Sequence, residues 1–236
     1  MAFKLPKLGF GAGTFSKRYN AVDDTTIPQL IKASVDNGIN YFDTSPYYNN
    51  SEIILGEALH QLKNDLPRNQ YVISTKVGRY GPTRQGFDYS RARVRQSVQQ
   101  SLARLHTTYL DVVLCHDVEF VSLDEVVDQA LPELFQLKAE GVVREVGISG
   151  YPLPVLLRIA EIQYQRDQPL DVVLSYCHYN LHNQQFQRVA PQFRSWGVRW
   201  LINASPLSMG LFRPQGPPDW HPACASLRET AIKAQR

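Results

Sequence analysis

Cysteine is scarce in this chain. Three residues, Cys115, Cys177 and Cys224, are scattered through 236 positions. Their spacing makes neither a C-x-x-C redox pair nor a zinc knuckle, and an odd count of isolated thiols suits a reducing, cytoplasmic compartment. No run of 18 or more apolar residues occurs, which excludes a helical membrane span. The opening segment MAFKLPKLGFGAG has no apolar core of signal-peptide length. Surplus charge is also small, a formal +3. A nucleic-acid footprint needs clustered basic residues, so none is expected. Global disorder is not expected either. With 43% apolar and 20% charged residues the composition is that of an ordinary globular domain.

Short apolar runs alternate with helical patterns. Runs at 8–10, 39–42, 71–75, 110–115, 142–148, 170–176 and 199–203 read as strands, with little internal alternation, as strands buried on both faces should have. Helices are expected near 26–37, 51–64, 90–105, 122–139, 152–164, 183–196 and 222–235. Thr26 with Gln29, and Ser122 with Glu125, have the spacing of capping boxes. Asn37-Gly38 and Glu140-Gly141 read as helix stops. The steps from Phe10 to Asp43, Lys76, His116 and Ser149 are 33, 33, 40 and 33 residues. That period predicts repeated right-handed βαβ units. The expected fold is an α/β (β/α)8 TIM barrel forming one domain over 1–236, with an open doubly wound sheet as the alternative. Only seven strands are counted, and seven would leave open edges. The expectation is a barrel with its eighth strand missing, incomplete at the C-terminus.

In such barrels the chemistry sits at the C-terminal strand ends. Asp43 ends the second strand and Tyr48 follows in the loop. Lys76 ends the third strand and His116 the fourth. Neighbouring strands lie about 4.8 Å apart, so these side chains can converge. A free tyrosine, with a pKa of about 10, is a poor base at neutral pH. A nearby ammonium favours the phenolate, and the expectation is that Lys76 lowers the Tyr48 value. A carboxylate keeps the lysine charged, and a histidine can orient a substrate oxygen. Such a tyrosine moves a proton while a bound cofactor moves a hydride.

Other features read as structural. Gly9, Gly11 and Gly13 do not follow the G-x-G-x-x-G spacing and suggest a flexible rim loop. His178 and His182 lie in a loop without the H-E-x-x-H glutamate, so no metal is expected. Arg91, Arg93 and Arg95 read as a solvated helix face, and Tyr47 as pocket wall beside Tyr48.

Four ordered motifs carry a resemblance: Asp43-Thr-Ser-Pro-Tyr-Tyr48, Ser74-Thr-Lys76, Leu114-Cys-His116 and Gly147-Ile-Ser149. Over nearly its whole length the chain resembles the aldo-keto reductases, nicotinamide-dependent barrels with an Asp–Tyr–Lys–His tetrad. The phrases DTSPYY, RLHTTYLDVVLCHDVEF, GISGYP, LSYCHYN and NASPLSMG are most similar to the branch of fungal D-arabinose and plant L-galactose dehydrogenases. The resemblance implies an oxidoreductase that takes the C1 hydroxyl of a small-molecule aldose to the aldonolactone, with NAD as cofactor and NADP as an alternative. It implies Tyr48, Asp43, Lys76 and His116 as catalytic residues. It implies Ser149, Gly150, Tyr176, Ser205, Leu207, Ser208 and Gly210 on the cofactor side. The chain departs from most of the family at Gly150, where Asn is usual, at Ala204, where a stacking tyrosine is common, and at Tyr176, which stands near the usual glutamine. The family's eighth strand and following loop, which hold the adenosine phosphate, have no counterpart. The competing reading is a non-catalytic, truncated relative that binds without turnover.

Overall fold

The computed structural model describes residues 4–16 and 22–234. Seven parallel strands form one sheet in chain order: β1 (Phe10–Gly11), β2 (Tyr41–Asp43), β3 (Val72–Val77), β4 (Leu110–His116), β5 (Val143–Gly150), β6 (Val172–Tyr176) and β7 (Trp200–Ala204). Between and after them run α1 (Ile27–Asp36), α2 (Ser51–Gln61), α3 (Arg91–Arg104), α4 (Leu131–Ala139), α5 (Leu153–Gln165), α6 (Gln185–Ser195) and α7 (Ala225–Ala234). Each strand from β1 to β6 is followed by a crossover that brings the next one alongside it in parallel, as repeated βαβ units require. β3 and β4 are buried at every position, which is why their sequences do not alternate.

The sheet curls toward a barrel, and two apolar cores result. Outward-facing Phe42, Ile73, Val113, Val146 and Val173 pack under the helices. Inward-facing Tyr41, Val72, Val112, Leu114, Val172 and Leu174 fill the barrel, joined by Leu5, Trp200 and Ile202. Among the described residues β1 and β7 are not paired with each other. A cavity of about 800 Å³ opens between them, lined by Leu8, Phe10, Tyr41, Leu174, Trp200 and Ile202.

Several local expectations need correction. The first strand is Phe10–Gly11 rather than 8–10, because Leu8 is 66% exposed and only Phe10 and Gly11 find partners on β2. The segment after Gly11 is not a flexible loop but a 3-10 helix, Ala12–Ser16, with Ala12 and Phe15 buried. Thr26 makes no capping bond to α1. Its hydroxyl donates to the Asp23 carbonyl, and the Asp23 side chain instead caps the preceding 3-10 turn. The Ser122–Glu125 box does form, with both reciprocal bonds in place.

The helix expected over 122–139 is two pieces, a π-helical stretch Glu125–Ala130 followed by α4. Pro132 explains the break. It has no N–H for the Asp128 carbonyl four residues back, and the helix widens there. Arg91 donates to that carbonyl instead, at 3.1 Å, and Arg166 reaches the neighbouring Val127 carbonyl at 2.8 Å.

Candidate active site

The strand register sets the site. Asp43 pairs with Ser74, Lys76 with Leu114, and His116 with Ser149, so the inward side chains rise around one end of the sheet. Lys76, 2% exposed, donates from Nζ to Asp43 Oδ2 at 2.6 Å and to the Thr44 carbonyl at 2.8 Å. Ser74 Oγ holds the other carboxylate oxygen at 3.0 Å. Burial pulls the Lys76 pKa down, but Asp43 and Tyr48 more than offset it, so the ammonium is held above its ordinary value.

Tyr48 lies in the turn after β2. That turn is clamped from below: the Thr44 and Ser51 hydroxyls bond at 2.8 Å, and Ser51 Oγ donates to the Ala12 carbonyl at 2.7 Å. The Tyr48 ring lies against Gly13, where an added Cβ would stand 3.2 Å from a ring carbon. It meets His116 edge-on at 5.5 Å, with Lys76 Nζ 4.8 Å from its centroid. Lys76 also interacts with the Tyr48 hydroxyl.

The expectation that Lys76 would bring the tyrosine pKa down is only half right. Burial raises it most, Lys76 lowers it, and Asp43 and Asp117 raise it again. The net direction is upward, so the resting side chain is a neutral phenol.

The histidine tautomer follows from its neighbours. Ser45 Oγ lies 3.1 Å from His116 Nδ1 and accepts the Tyr47 N–H at 3.1 Å. Asp117 Oδ2, which only accepts, lies 3.4 Å from Nε2, so the ring proton is assigned to Nε2 and the Ser45 hydroxyl donates to Nδ1. Burial, then Lys76 and Arg79, push the His116 pKa well below the usual histidine range. A neutral imidazole with Nε2–H is a hydrogen-bond donor for a substrate oxygen.

Two charged residues stand beside this group. Asp117 Oδ2 lies 3.4 Å from His116 Nε2. Arg79 donates from Nη1 to the same carboxylate oxygen and from Nη2 to the Tyr47 hydroxyl at 3.0 Å. Burial raises the Asp117 pKa, and Arg79 acts against it.

The expected cofactor-side residues occupy the ends of β5, β6 and β7 and the loop beyond. Ser149 is buried and donates to the Cys115 carbonyl at 3.3 Å. Gly150 faces away from the barrel centre. A Cβ there would collide with Glu119 Oε2 at 2.5 Å, so Glu119 fills the space of a side chain at 150. Tyr176 ends β6 opposite Ala204 and is 37% exposed. After β7 the backbone turns left-handed at Ser205, Ser208, Met209 and Gly210. Ser205 Oγ accepts the Met209 N–H at 2.8 Å, Ser208 is buried, and Leu207 is half exposed. The tetrad therefore converges in one cluster, while these seven residues lie in a row along the neighbouring strand ends.

The other motifs resolve as packing. His178 bonds Ser175 Oγ at 3.0 Å and lies tilted against the Tyr151 ring at 4.7 Å. His182 lies against Phe212. Arg93 covers the Tyr80 ring, and Arg95 pairs with Glu133 and Glu140 of the next helical layer.

The family model described as aldo/keto reductase matches residues 7–231. The chain belongs to the aldo/keto reductase family. It is 41% identical over 235 residues to the L-galactose dehydrogenase of Arabidopsis thaliana, covering 98% of this chain and 70% of that protein. It is 42% identical over 234 residues to the D-arabinose 1-dehydrogenase of Saccharomyces cerevisiae, covering 97% and 69%. A solved Bacillus halodurans aldo-keto reductase in holo form superposes with a TM-score of 0.73 at 24% identity, covering 94% of this chain and 70% of that one, and supports the fold. This aldo/keto reductase is an oxidoreductase of a family that uses nicotinamide cofactors. No helix among its described residues is long and apolar enough to cross a membrane.

Sequence reasoning missed four residues of this site: Ser45, Arg79, Asp117 and Glu119. A signal existed for all four. Ser45 lies inside the Asp43–Tyr48 motif, Arg79 lies three residues beyond Lys76, and Asp117 and Glu119 lie one and three residues beyond His116. Scanning the loop positions after each strand end, as well as the ends themselves, would have found them.

Proposed function

We propose that this aldo/keto reductase is an aldose 1-dehydrogenase. It oxidises the C1 hydroxyl of an aldose of the D-arabinose or L-galactose type to the aldonolactone. The observation that supports this reading is the convergence of Tyr48 with the Asp43–Lys76 ion pair and a neutral His116. Both high-identity relatives are named as dehydrogenases of sugars.

The residues fit a nicotinamide. The Ser149 hydroxyl stands one strand from His116. Glu119 Oε2 is buried beside Gly150 with no hydrogen-bond partner among the described residues. That oxygen is sealed on the helix side of the sheet against Leu156, so the carboxamide contact falls to the Ser149 hydroxyl. Ser149 would hold the carboxamide, with Tyr176 and the Ser205, Leu207, Ser208 and Gly210 loop further along the cofactor. When bound, oxidised NAD or NADP supplies the hydride acceptor and a positive charge near the site.

The chain's own residues handle the proton. His116 donates from Nε2 to the reacting oxygen and orients it. Tyr48, as phenolate, accepts the C1 hydroxyl proton, and Lys76 favours that phenolate. Asp43 keeps Lys76 charged and in place. Burial keeps water from competing for these bonds. A cytoplasmic setting accords with three cysteines that are all free.

The test is NAD- and NADP-dependent oxidation of D-arabinose and L-galactose, followed by absorbance of the reduced cofactor. Steady turnover of at least one sugar is expected. Tight cofactor binding with no turnover of either sugar would contradict the reading and favour the non-catalytic alternative.

A further inference from the structure

The Arg79–Asp117 pair has no part in the proton transfer, yet it lies next to the group that orients the substrate. Asp117 follows His116 directly and takes a left-handed backbone, φ 56°. That conformation is unfavourable for a residue with a Cβ, though aspartate tolerates it better than most. It brings Oδ2 to 3.4 Å from His116 Nε2. Arg79 fixes the carboxylate by donating to Oδ2.

Arg79 is itself immobilised. Its guanidinium lies 3.9 Å from the Tyr47 ring centroid, 5.3 Å from Phe87 and 5.7 Å from Phe120, and it donates to the Tyr47 hydroxyl. Both side chains keep some solvent access, 18% for Arg79 and 22% for Asp117. The second carboxylate oxygen, Oδ1, accepts no hydrogen bond from the described residues. A charged pair on an aromatic shelf gives little stability over an apolar wall. What it does provide is a rigid carboxylate beside Nε2, with Oδ2 held by Arg79 and Oδ1 left to accept.

We propose that Asp117, held by Arg79, is the specificity-determining residue for the hydroxyl on C2, the carbon next to the reacting one. The proposal rests on the aldose reading above. The reacting oxygen on C1 takes the Nε2–H of His116. In a gauche vicinal diol the next oxygen lies about one hydrogen-bond length away, about 2.8 Å. That places it within reach of a carboxylate 3.4 Å from Nε2. A carboxylate only accepts. It therefore selects a hydroxyl over an ether, and the ring oxygen of the sugar has no proton to give. The C2 hydroxyl is the donor that matches. The pair would thus distinguish a sugar from a simple aldehyde and from a 2-deoxy sugar.

The experiment compares kcat/KM for D-arabinose with that for 2-deoxy-D-ribose, its C2-deoxy analogue, in wild type, Asp117→Asn and Asp117→Ala. Reduction of 4-nitrobenzaldehyde by NADH monitors the tetrad separately. Wild type is expected to prefer the 2-hydroxy sugar by about 10- to 100-fold, the range of a hydrogen bond to a charged group. The ratio should shrink in Asp117→Asn, whose amide oxygen still accepts, and approach unity in Asp117→Ala. Arg79→Gln, which frees the carboxylate to move, should lie between.

Equal use of both sugars by wild type would overturn the proposal. So would an unchanged ratio in Asp117→Ala, or a parallel loss on both sugars and the aldehyde, which would mean that Asp117 acts only through His116. A wild type that reduces the aldehyde but oxidises neither sugar would fail the aldose reading, and this proposal with it.

Discussion

Replacing Lys76 by Met removes one side of the Asp43–Lys76 ion pair, and the cost can be worked from its surroundings. Lys76 is 2% exposed and the Asp43 side chain 18%. Breaking a buried pair by deleting one partner costs about 3–5 kcal/mol, because the other charge stays behind uncompensated. Asp43 keeps the Ser74 hydroxyl at 3.0 Å and some water, so the lower end applies, about 3 kcal/mol. The Thr44 carbonyl also loses its donor. For a chain of this size that is about 6–12 °C in Tm.

Asp43→Asn should cost a similar amount by leaving the ammonium unpaired. The double variant should then be no worse than the poorer single one, a coupling of about 2 kcal/mol or more. Urea unfolding of the four proteins, followed by tryptophan fluorescence, measures this cycle. Additive losses, or a Lys76→Met loss under about 1 kcal/mol, would refute the reading of the pair as buried and coupled. Activity should fall by at least about 100-fold in Lys76→Met, because the tyrosine loses the charge that favours its phenolate.

The remaining predictions concern pH and packing. Oxidation needs Tyr48 deprotonated, and its pKa is raised, so log kcat/KM should climb from pH 7 to 9 with a slope near one. His116 is neutral well below the ordinary histidine range, so no inflection near 6.5 should appear; one that vanished in His116→Gln would count against the neutral assignment. Gly56→Ala should destabilise the chain by about 1–3 kcal/mol, because its Cβ would stand 2.0 Å from the Arg104 carbonyl oxygen and α2 and α3 would have to separate. Thermal unfolding checks this, and an unchanged Tm would show that the helices can part freely.

Much of this molecule was legible from its sequence because parallel strands buried on both faces leave uniform apolar runs. The polar residue that ends each run is then conspicuous. Asp43, Lys76 and His116 stood out in that way, and Tyr48 through the Asp–Tyr spacing of the family the chain resembles. The strand order followed from the regular step, since a repeated right-handed crossover allows few arrangements. What was lost lay in loops and in long-range pairing. Arg79 and Asp117 are 38 residues apart and meet only because β3 and β4 are neighbours. Glu119 acquires meaning only through the bare backbone at Gly150. The direction of the Tyr48 shift was misjudged because the sequence reveals the nearby ammonium but not how deeply the ring is buried. The π-helical turn before Pro132 was missed because the amphipathic pattern runs on across it.

The most direct test of the catalytic account is Tyr48→Phe. It keeps the ring against Gly13 and His116 and removes only the hydroxyl that carries the proton. Aldose oxidation is expected to fall by about 1,000-fold or more, within the range of a lost proton-transfer group, while cofactor binding and thermal stability are retained. A Tyr48→Phe enzyme that kept aldose oxidation within about tenfold of wild type would contradict the assignment of Tyr48 as the proton-transfer group.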